Sequence, residues 1–414
     1  MLSNRQSGFR SLHSTLTALL EATDSWSVNI DKGLINGVIF IDLKKAFDTI
    51  DHEILLSKLS YYGVTNYSQK WFKSYLSNRK QKCYVNGHLS SDSTLTCGVP
   101  QGSIIGPLLF LLYINDLSSC LSTSCPRMYA DDTNISTSAY DIEALEGQLN
   151  LELSKLNQWL KANKLNLNVA KTEFMIMGSR QRLNARADGR PINLNIEGKN
   201  IKRVDTSKSL GVFIDKNLSW EKHINEISKK ISSGIGALKQ VRPFVTLDTA
   251  IKIYKALIEP HFDYCSPVWH GISNKLNDKL QKLQNRAARV LTKSPFDTSS
   301  VFLRNLLGWD DVSTRRTKHL AITMYKTLYD LFPSYLRDLF VSCDSHYILR
   351  NNKNKLALPM PKTNYRKRCF SYSGAKLWNS LPVELRCANS LGKFKKEISN
   401  SLSLPDSHGN HGKQ

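Results

Sequence analysis

Met128-Tyr129-Ala130-Asp131-Asp132-Thr133-Asn134-Ile135 places two adjacent carboxylates between two short strand-like segments. Tyr, Thr and Ile favour strands, whereas Asp favours turns. The stretch therefore predicts a β-hairpin with Asp131 and Asp132 at its tip. An Asp-Asp pair in a turn is often only solvated, so the rest of the sequence has to decide whether this one carries chemistry.

A third carboxylate follows an apolar run far upstream. Gly37-Val38-Ile39-Phe40-Ile41 is β-branched and aromatic and stops at Asp42, which is typical of a buried strand with a carboxylate at its end. If the hairpin pairs beside this strand, Asp42 and Asp131 converge. Carboxylates are hard oxygen ligands that suit Mg²⁺, and two ions about 3.5–4 Å apart stabilise the attacking and leaving oxygens of an in-line displacement. The pattern predicts polymerase or nuclease chemistry.

Four segments of the sequence form an ordered set of motifs, and two of them contain these carboxylates. They are residues 40–48 (FIDLKKAFD), 98–103 (GVPQGS) with 106–110 (GPLLF), 129–132 (YADD) and 167–173 (LNVAKTE). In order and spacing they resemble the palm motifs of reverse transcriptases, especially those of non-LTR retrotransposons of the jockey and chicken-repeat type. Farther on, residues 210–212 (LGV) resemble the primer grip, and residues 263–269 (DYCSPVW) and 283–289 (LQNRAAR) resemble the downstream region of the same elements.

The resemblance implies roles for the acidic residues. Asp42 and Asp131 match the principal ligands of two Mg²⁺ ions, which Mn²⁺ can replace, and the backbone carbonyl of Leu43 matches an extra oxygen ligand. Asp132 matches the less directly engaged neighbour. Lys171 matches a lysine proposed to protonate the pyrophosphate leaving group. Without the resemblance, Lys171 reads equally well as a solvated lysine at the start of a strand.

It also implies the contacts of nucleotide, template and primer. Phe47 matches an aromatic whose ring excludes a 2′-hydroxyl and so selects deoxynucleotides; its alternative is plain core packing. Pro100, Gln101 and Gly102 match a nucleotide and template loop, although on their own they are only a loop before a buried helix. The resemblance also implies that Tyr129 and Ala130 contact the nucleotide or template and that Leu210 and Gly211 contact the primer.

Composition agrees with a polyanionic partner. The chain has 57 Lys and Arg against 35 Asp and Glu, a net charge of +22 and a pI near 9.6, as for a protein that binds nucleic acid. Charge alone fits a ribosome-associated or structural protein equally well. The longest apolar run, 107–114, is too short for a membrane span, and the first residues lack a signal-peptide core. We expect an intracellular protein of the nucleus or cytoplasm, neither secreted nor membrane-bound, with its eight cysteines reduced and no zinc site.

The periodicity of apolar residues predicts an α+β fold. We expect a right-hand polymerase palm, an antiparallel sheet with packed helices, with partial fingers, then a mainly helical thumb and C-terminal region. The predicted segments are 1–36 partial fingers, 37–205 palm with fingers elements, 206–300 primer grip and helical thumb, 301–400 basic helical region and 401–414 disordered tail. Apolar stripes predict the palm helix 142–160 and two thumb helices with basic outer faces, the second with the stripe Leu276, Leu280, Leu283, Ala287 and Val290. Asp51 is predicted to cap a helix, and residues 81–85 are predicted to form a strand.

The sequence therefore predicts an RNA-directed DNA polymerase, a nucleotidyltransferase of a mobile element, with an RNA template, a DNA primer and deoxynucleoside triphosphates as partners. Residues 6–15 resemble a fingers motif that more sequence precedes in complete enzymes, so we expect an N-terminally truncated element that also lacks an endonuclease domain. Two alternatives stay open: a catalytically inactive nucleic-acid-binding remnant, and a two-metal nuclease, for which Phe47 and Pro100–Gly102 have no obvious task.

Overall fold

The computed structural model describes residues 2–185, 192–343 and 354–402 of the 414. Its strands are β1 Ile35–Ile41, β2 Lys80–Gln81, β3 Tyr84–Val85, β4 His88–Leu89, β5 Ser93–Thr94, β6 Cys125–Tyr129, β7 Asp132–Ala139, β8 Glu173–Met177, β9 Asn195–Ile196, β10 Lys199–Asn200, β11 Lys202–Arg203, β12 Thr206–Ser209 and β13 Val212–Asp215. Its α-helices are α1 Thr15–Asp31, α2 His52–Tyr61, α3 Asn66–Leu76, α4 Gly106–Ile114, α5 Ile142–Ala162, α6 Arg180–Ala185, α7 Glu221–Val241, α8 Leu247–Leu257, α9 Glu259–Asp263, α10 Asn274–Thr292, α11 Ser300–Leu307, α12 Val312–Leu328, α13 Ser334–Arg337, α14 Asn364–Arg368, α15 Phe370–Ser380, α16 Val383–Arg386 and α17 Leu391–Leu402.

The central sheet has five strands in the order β11-β8-β1-β7-β6. β1 pairs antiparallel with β7 and β8, and β6 pairs antiparallel with β7, whereas β11 joins β8 in parallel. β1 is central and its residues are almost all buried, which explains its continuous apolar sequence. The predicted strand and the predicted hairpin are both confirmed, and they lie side by side.

Helix α5 packs against β1 and β7 because its leucines recur at helical spacing on one face. Leu145, Leu149, Leu153 and Leu156 are fully buried. The approach to β1 is close at Gly37, where an added Cβ atom would lie 2.5 Å from Cδ1 of Leu149. The Asp141 carboxylate begins the helix by accepting a hydrogen bond from the backbone N–H of Ala144 at 2.7 Å. The predicted palm helix is therefore confirmed.

Helices α2 and α4 pack together beside the sheet, and each begins where the sequence indicates. Asp51 caps α2 by accepting from the backbone N–H groups of Glu53 and Ile54, both at 3.0 Å. Pro107 lies in the first turn of α4, where its missing N–H is not needed. Residues 109–114 of α4 are all buried, so this helix is apolar on every side.

The chain divides into two compact units. The first contains residues 1–18 and 32–211, and the second contains residues 19–31 and 212–414. The predicted N-terminal segment 1–36 is thus divided between them, since most of α1 belongs to the second unit. The predicted five segments are finer than this division, and their functional names stay predictions.

Apart from β13, the described part of the second unit is mainly helical, and it is held together by buried polar contacts as well as apolar ones. Asp24 of α1 is 1% exposed and accepts hydrogen bonds from the backbone N–H and the hydroxyl of Ser371 at 2.7 and 2.9 Å. Arg315 makes a two-pronged ion pair with Asp263, both contacts at 2.6 Å. Burial raises the pKa of Asp24, while the hydrogen bonds from Ser371 oppose this.

Three details differ from the sequence predictions. In α10 the fully buried stripe is Leu276, Leu280, Gln284, Ala287 and Leu291, whereas the predicted Leu283 and Val290 lie half-buried beside it. The strand predicted over 81–85 is two separate two-residue strands in an exposed segment. The predicted tail 401–414 lies outside the described residues except for Ser401 and Leu402, which end α17. Among the helices described, none is long and apolar enough to cross a membrane.

Candidate active site

The Asp131 carboxylate lies at the tip of the β6–β7 hairpin. Tyr129 pairs with Asp132, so Ala130 and Asp131 form a two-residue turn. Ala130 has φ +56°, the left-handed conformation that such tight hairpins require. Asp131 and Asp132 are both exposed. The turn therefore presents Asp131 outward from a rigid pair of strands.

The chain's N-terminal segment braces this turn. Gln6 is 1% exposed, and its side-chain oxygen accepts hydrogen bonds from the backbone N–H groups of Ala130 at 3.0 Å and Gly8 at 2.7 Å. Its side-chain amide donates to the Ala130 carbonyl at 3.4 Å. The backbone N–H of Ser7 donates to the carbonyl of Met128 at 2.8 Å, so the segment runs beside β6 as an added edge. Gln6 satisfies backbone groups that the tight turn leaves unpaired.

Replacing Gly8 with alanine is expected to dislodge this brace. The new Cβ atom would lie 2.3 Å from the Ala130 backbone nitrogen and 3.0 Å from its Cα atom. Because the obstacle is backbone, we expect the free energy of unfolding of the first unit to fall by about 1–3 kcal/mol. Urea denaturation and the rate of proteolysis within residues 2–14 measure the change.

Gly147→Ala is the matched control. Gly147 is exposed in α5 and has no atom within 4 Å of its added Cβ, so this change is expected to be neutral or stabilising by up to about 1 kcal/mol. Equal stabilities for the two variants would contradict the packing of residues 5–8 against the turn.

Asp42 directly follows β1 and is held by the segment that precedes β8. The side-chain amide of Asn168 donates to Oδ2 of Asp42 at 2.7 Å, and the backbone N–H of Asn168 donates to the Asp42 carbonyl at 2.8 Å. The backbone N–H of Asp42 donates to the Thr172 hydroxyl at 3.3 Å. Asn168 thereby fixes one oxygen of the carboxylate and leaves the other available.

The acidic groups form one electrostatic cluster. Ile41 lies directly opposite Thr133 in the sheet, which brings the ends of β1 and the hairpin together. Although Asp132 is exposed, loss of part of its hydration to the surrounding protein raises its pKa, and the negative charges of Asp131 and Asp42 raise this pKa further. Within the described residues, no three His, Cys, Asp or Glu side chains lie close enough to hold a metal ion by themselves. The site thus offers a partial shell of carboxylate oxygens with like charges close together.

A cavity of about 450 Å³ opens beside Asp131. Its wall brings together residues from segment 6–15 and from the motif segments 40–48, 98–110 and 129–132. They are Phe9, Leu43, Lys45, Ala46, Phe47, Pro100, Gln101, Gly102, Gly106, Pro107 and Asp131. Phe47 stacks on buried Phe110, with ring centroids 4.2 Å apart and planes 20° apart. Phe47 is therefore both a packing residue and part of the cavity wall, so its two readings from the sequence are compatible.

The loop 97–101 is fastened to the segment that follows Asp42. The side-chain amide of Gln101 donates to Oδ1 of Asp48 at 2.8 Å, and the backbone N–H of Val99 donates to the Phe47 carbonyl at 2.9 Å. Gly98 has φ +85°, and a Cβ atom there would lie 2.8 Å from the Asp48 carbonyl oxygen. The glycine is needed for this close approach.

The structure gathers some of the predicted site residues and leaves others apart. Lys171 is exposed in the turn before β8 and does not line the cavity beside Asp131. Leu210 and Gly211 form the turn between β12 and β13 and do not line it either. Sequence reasoning missed Gln6, Asn168 and Asp48 as partners of the site. All three lie within the motif segments named above, and this position was the one feature of the sequence that could have indicated them.

Residues 1–214 match the family model described as reverse transcriptase (RNA-dependent DNA polymerase). The chain is 29% identical over 338 residues to a probable RNA-directed DNA polymerase from transposon BS of Drosophila melanogaster, covering 78% of this chain and 36% of that protein. It is 25% identical over 328 residues to the corresponding protein of transposon X-element of the same fly, covering 76% and 34%. It is 26% identical over 274 residues to the RNA-directed DNA polymerase from the mobile element jockey of the same fly, covering 62% of this chain and 28% of that protein. The chain thus spans about a third of the length of these relatives.

Solved structures that are similar to this chain include telomerases from two Candida species. A telomerase from Candida albicans, in complex with a fragment of telomeric RNA, has a TM-score of 0.36 at 13% identity, covering 78% of this chain and 54% of that chain. A telomerase from Candida tropicalis in complex with such a fragment has a TM-score of 0.41 at 11% identity, covering 96% and 53%.

Proposed function

This chain belongs to the reverse transcriptase family of RNA-dependent DNA polymerases, and we propose that it extends a DNA primer with deoxynucleotides on an RNA template. In this reaction the primer 3′-hydroxyl oxygen bonds to the α-phosphorus of the nucleotide, and the bond to the leaving pyrophosphate breaks. The observation that carries the proposal is the convergence of Asp42 with the Asp131-Asp132 turn. The cavity lined by Phe47 and Gln101 lies beside that turn and is where we place the nucleotide.

We propose that Asp42 and Asp131 hold two Mg²⁺ ions, with the Leu43 carbonyl as an additional oxygen and Asp132 as the adjacent carboxylate. The donor set fits the ion, because Mg²⁺ prefers hard oxygens and completes its shell with waters and substrate phosphates. Crowding of like charges at Asp132 is relieved by a bound cation. When bound, the metal ions stabilise charge on the attacking and leaving oxygens. Mn²⁺ has the same ligand preference and is a suitable substitute.

The surrounding residues orient these groups. Asn168 fixes one oxygen of Asp42, and Gln6 fixes the Ala130 backbone that sets the direction of Asp131. Gly102 lets the Pro100–Gly102 loop come close to a nucleotide or template strand, and Tyr129 supports the turn from β6. We propose the exposed ammonium of Lys171 as the proton donor for the pyrophosphate.

We further propose functional names for the chain segments. The five-stranded sheet with α5 is the palm, residues 1–36 with the segments beside the palm are partial fingers, and residues 206–300 are the primer grip and thumb. Leu210 and Gly211 would then contact the primer from their turn. We name residues 301–400, of which the structure describes 301–343 and 354–400, the basic helical region. RNA and deoxynucleotides as substrates place the protein inside the cell, in the nucleus or cytoplasm.

A primer-extension assay tests the proposed function. The full chain is incubated with an RNA template, an annealed DNA primer, Mg²⁺ and all four deoxynucleoside triphosphates. We expect primer lengthening that stops when one required nucleotide is omitted or when EDTA is added. Binding of the primer–template without any lengthening, in Mg²⁺ or Mn²⁺, would reject the proposal in favour of a nucleic-acid-binding remnant. Metal-dependent shortening of the strand would favour a nuclease.

Asn168→Ala is expected to slow primer extension by about 10–100-fold and to raise the Mg²⁺ concentration needed for half-maximal rate. The reason is that residues which orient a metal ligand contribute about this much to affinity or activity. A Mg²⁺ titration of the extension rate measures both effects.

Asn166→Ala is the matched control for this prediction. Asn166 contributes its backbone carbonyl to the same segment, accepting from the Lys44 N–H at 2.9 Å, and alanine keeps that contact. If both variants respond to Mg²⁺ as the wild type does, Asn168 has no part in orienting Asp42.

A further inference from the structure

A long basic segment without acids lies between the first two palm motifs. Residues 54–91 contain six Lys and Arg and no Asp or Glu, in a chain that has 35 acids in all. The six are Lys58, Lys70, Lys73, Arg79, Lys80 and Lys82. Within the first unit, this segment forms most of α2, all of α3 and the exposed strands β2 to β4. Lys58 pairs with Asp116, and Lys80 and Lys82 pair with Asp92, whereas Lys70, Lys73 and Arg79 have no carboxylate partner among the described residues. Cations of the second kind attract a polyanion.

Helix α3 carries three aromatic residues on one face. Tyr67, Trp71 and Tyr75 are four residues apart and therefore project from the same side of the helix. The Trp71 and Tyr75 rings are nearly parallel, with planes 9° apart and centroids 5.5 Å apart. Tyr67 is 87% exposed and Trp71 is 55% exposed. We name Tyr67, Trp71 and Tyr75 the aromatic platform.

Cations flank the platform at both ends. The Lys70 ammonium lies 5.8 Å from the centroid of the Tyr67 ring, and the Arg79 guanidinium lies 5.4 Å from the centroid of the Tyr75 ring. Exposed rings next to Lys70 and Arg79, in a segment that itself contains no acidic residue, suit a ligand with flat π-faces and a negative backbone. An apolar protein partner would not require the excess of positive charge.

The platform leads toward the candidate active site. Arg79 lines a cavity of about 650 Å³ together with Gln81, Pro100 and Gln101. Gln101 also lines the cavity beside Asp131. A strand that stacks on α3 and passes Arg79 is therefore directed to the loop that contacts the nucleotide cavity.

We propose that the aromatic platform, with Lys70 and Arg79, binds a single-stranded polynucleotide. Bases stack on the exposed Tyr67 and Trp71 rings, and the half-buried Tyr75 ring supports Trp71 by stacking, while the two cations contact backbone phosphates. Identification of this strand as the unpaired template rests on the proposed function. The binding of a single strand does not, because it needs neither metal nor nucleotide.

Trp71 itself reports on the binding. The structure describes all seven tryptophans, and Trp71 is the one that is more than half exposed. We expect an unstructured oligouridylate, titrated without divalent metal or nucleotides, to quench the fluorescence of the full chain, and we expect Trp71→Phe to lose most of this quenching. Trp71→Phe retains an aromatic ring and is expected to keep the affinity within about threefold of wild type.

Substitution of two rings tests the energetics. Tyr67→Ala combined with Trp71→Ala is expected to weaken oligouridylate binding about tenfold or more, since each stacked base contributes to affinity. Fluorescence anisotropy of a labelled oligonucleotide measures the dissociation constant. Tyr140→Ala, which removes a 64% exposed tyrosine elsewhere in the first unit, is the matched control and is expected to change nothing.

Further binding measurements on the double variant determine which class of ligand the platform binds. If the double variant binds RNA and DNA single strands equally more weakly than wild type, the platform contacts bases and phosphates and not the sugar. If only RNA binding is weakened, the platform also contacts the sugar. Unchanged affinity in the double variant, or weakening confined to duplexes, overturns the proposal. A changed oligomeric state by light scattering with unchanged strand affinity also overturns it, because the platform would then be a protein contact. Asp131→Asn is expected to bind the oligonucleotide normally, so failure of synthesis and failure of the platform are separable.

Discussion

Asp131→Asn is expected to reduce primer extension by at least about a thousandfold while leaving nucleic-acid binding unchanged. Asparagine has nearly the same shape as aspartate but lacks the negative charge that attracts Mg²⁺. Loss of several kcal/mol of metal-assisted charge stabilisation corresponds to this factor. Single-turnover extension with saturating primer–template measures the rate.

The fold is expected to tolerate this change. Gln6 braces the turn through the backbone of Ala130, not through the Asp131 side chain, which is exposed. The melting temperature should therefore stay within a few degrees of wild type. Asp132→Asn is expected to have a smaller effect than Asp131→Asn, because Asp131 and not Asp132 lines the nucleotide cavity.

Asp248→Asn is the control for charge alone. Asp248 is exposed in the first turn of α8 and pairs with Lys252 at 2.7 Å, in the second unit. This variant carries the same change in net charge and is expected to extend primers at the wild-type rate. An Asp131→Asn rate within tenfold of wild type would remove Asp131 from the catalytic residues and leave the two-metal proposal without support.

Phe47→Val is expected to raise the use of ribonucleotides relative to deoxynucleotides about 100-fold. Phe47 forms part of the wall of the cavity beside Asp131, and its ring is held by stacking on Phe110 at 4.2 Å. A rigid ring that excludes one hydroxyl group discriminates by about 1–3 kcal/mol, and valine removes most of the ring. The ratio of kcat/KM values for a ribonucleotide and its deoxy counterpart measures the change.

Two further measurements separate exclusion from packing. Phe47→Tyr keeps the ring and is expected to keep the preference for deoxynucleotides. Phe47→Val also leaves a space against Phe110, so its free energy of unfolding is expected to fall by about 1–3 kcal/mol. An unchanged nucleotide ratio in a destabilised Phe47→Val protein would show that this residue only packs the core.

Local features of the fold could be predicted from the sequence. The strand before Asp42, the hairpin around Asp131, the cap of α2 at Asp51 and the apolar face of α5 all depend on residues close together in the chain. Propensity, periodicity and capping operate over such short distances. The predicted buried stripe of α10 was wrong in part because Gln284, a polar residue, is buried. Its side-chain amide donates to the Asp310 carbonyl at 3.0 Å. The periodicity of apolar residues cannot predict that a polar residue is buried with a hydrogen-bond partner.

The sequence by itself determined the carboxylates, the order of the motifs and the family. The tertiary structure decided which residues hold the carboxylates in place. Gln6 reaches the Ala130 turn from 124 positions away, and Asn168 reaches Asp42 from 126 positions away. It also decided that the exposed rings of α3 and the Pro100–Gly102 loop share a path through Arg79. The physical reason is that hydrogen bonds and cavity walls depend on separation in space, whereas a sequence pattern records only separation along the chain.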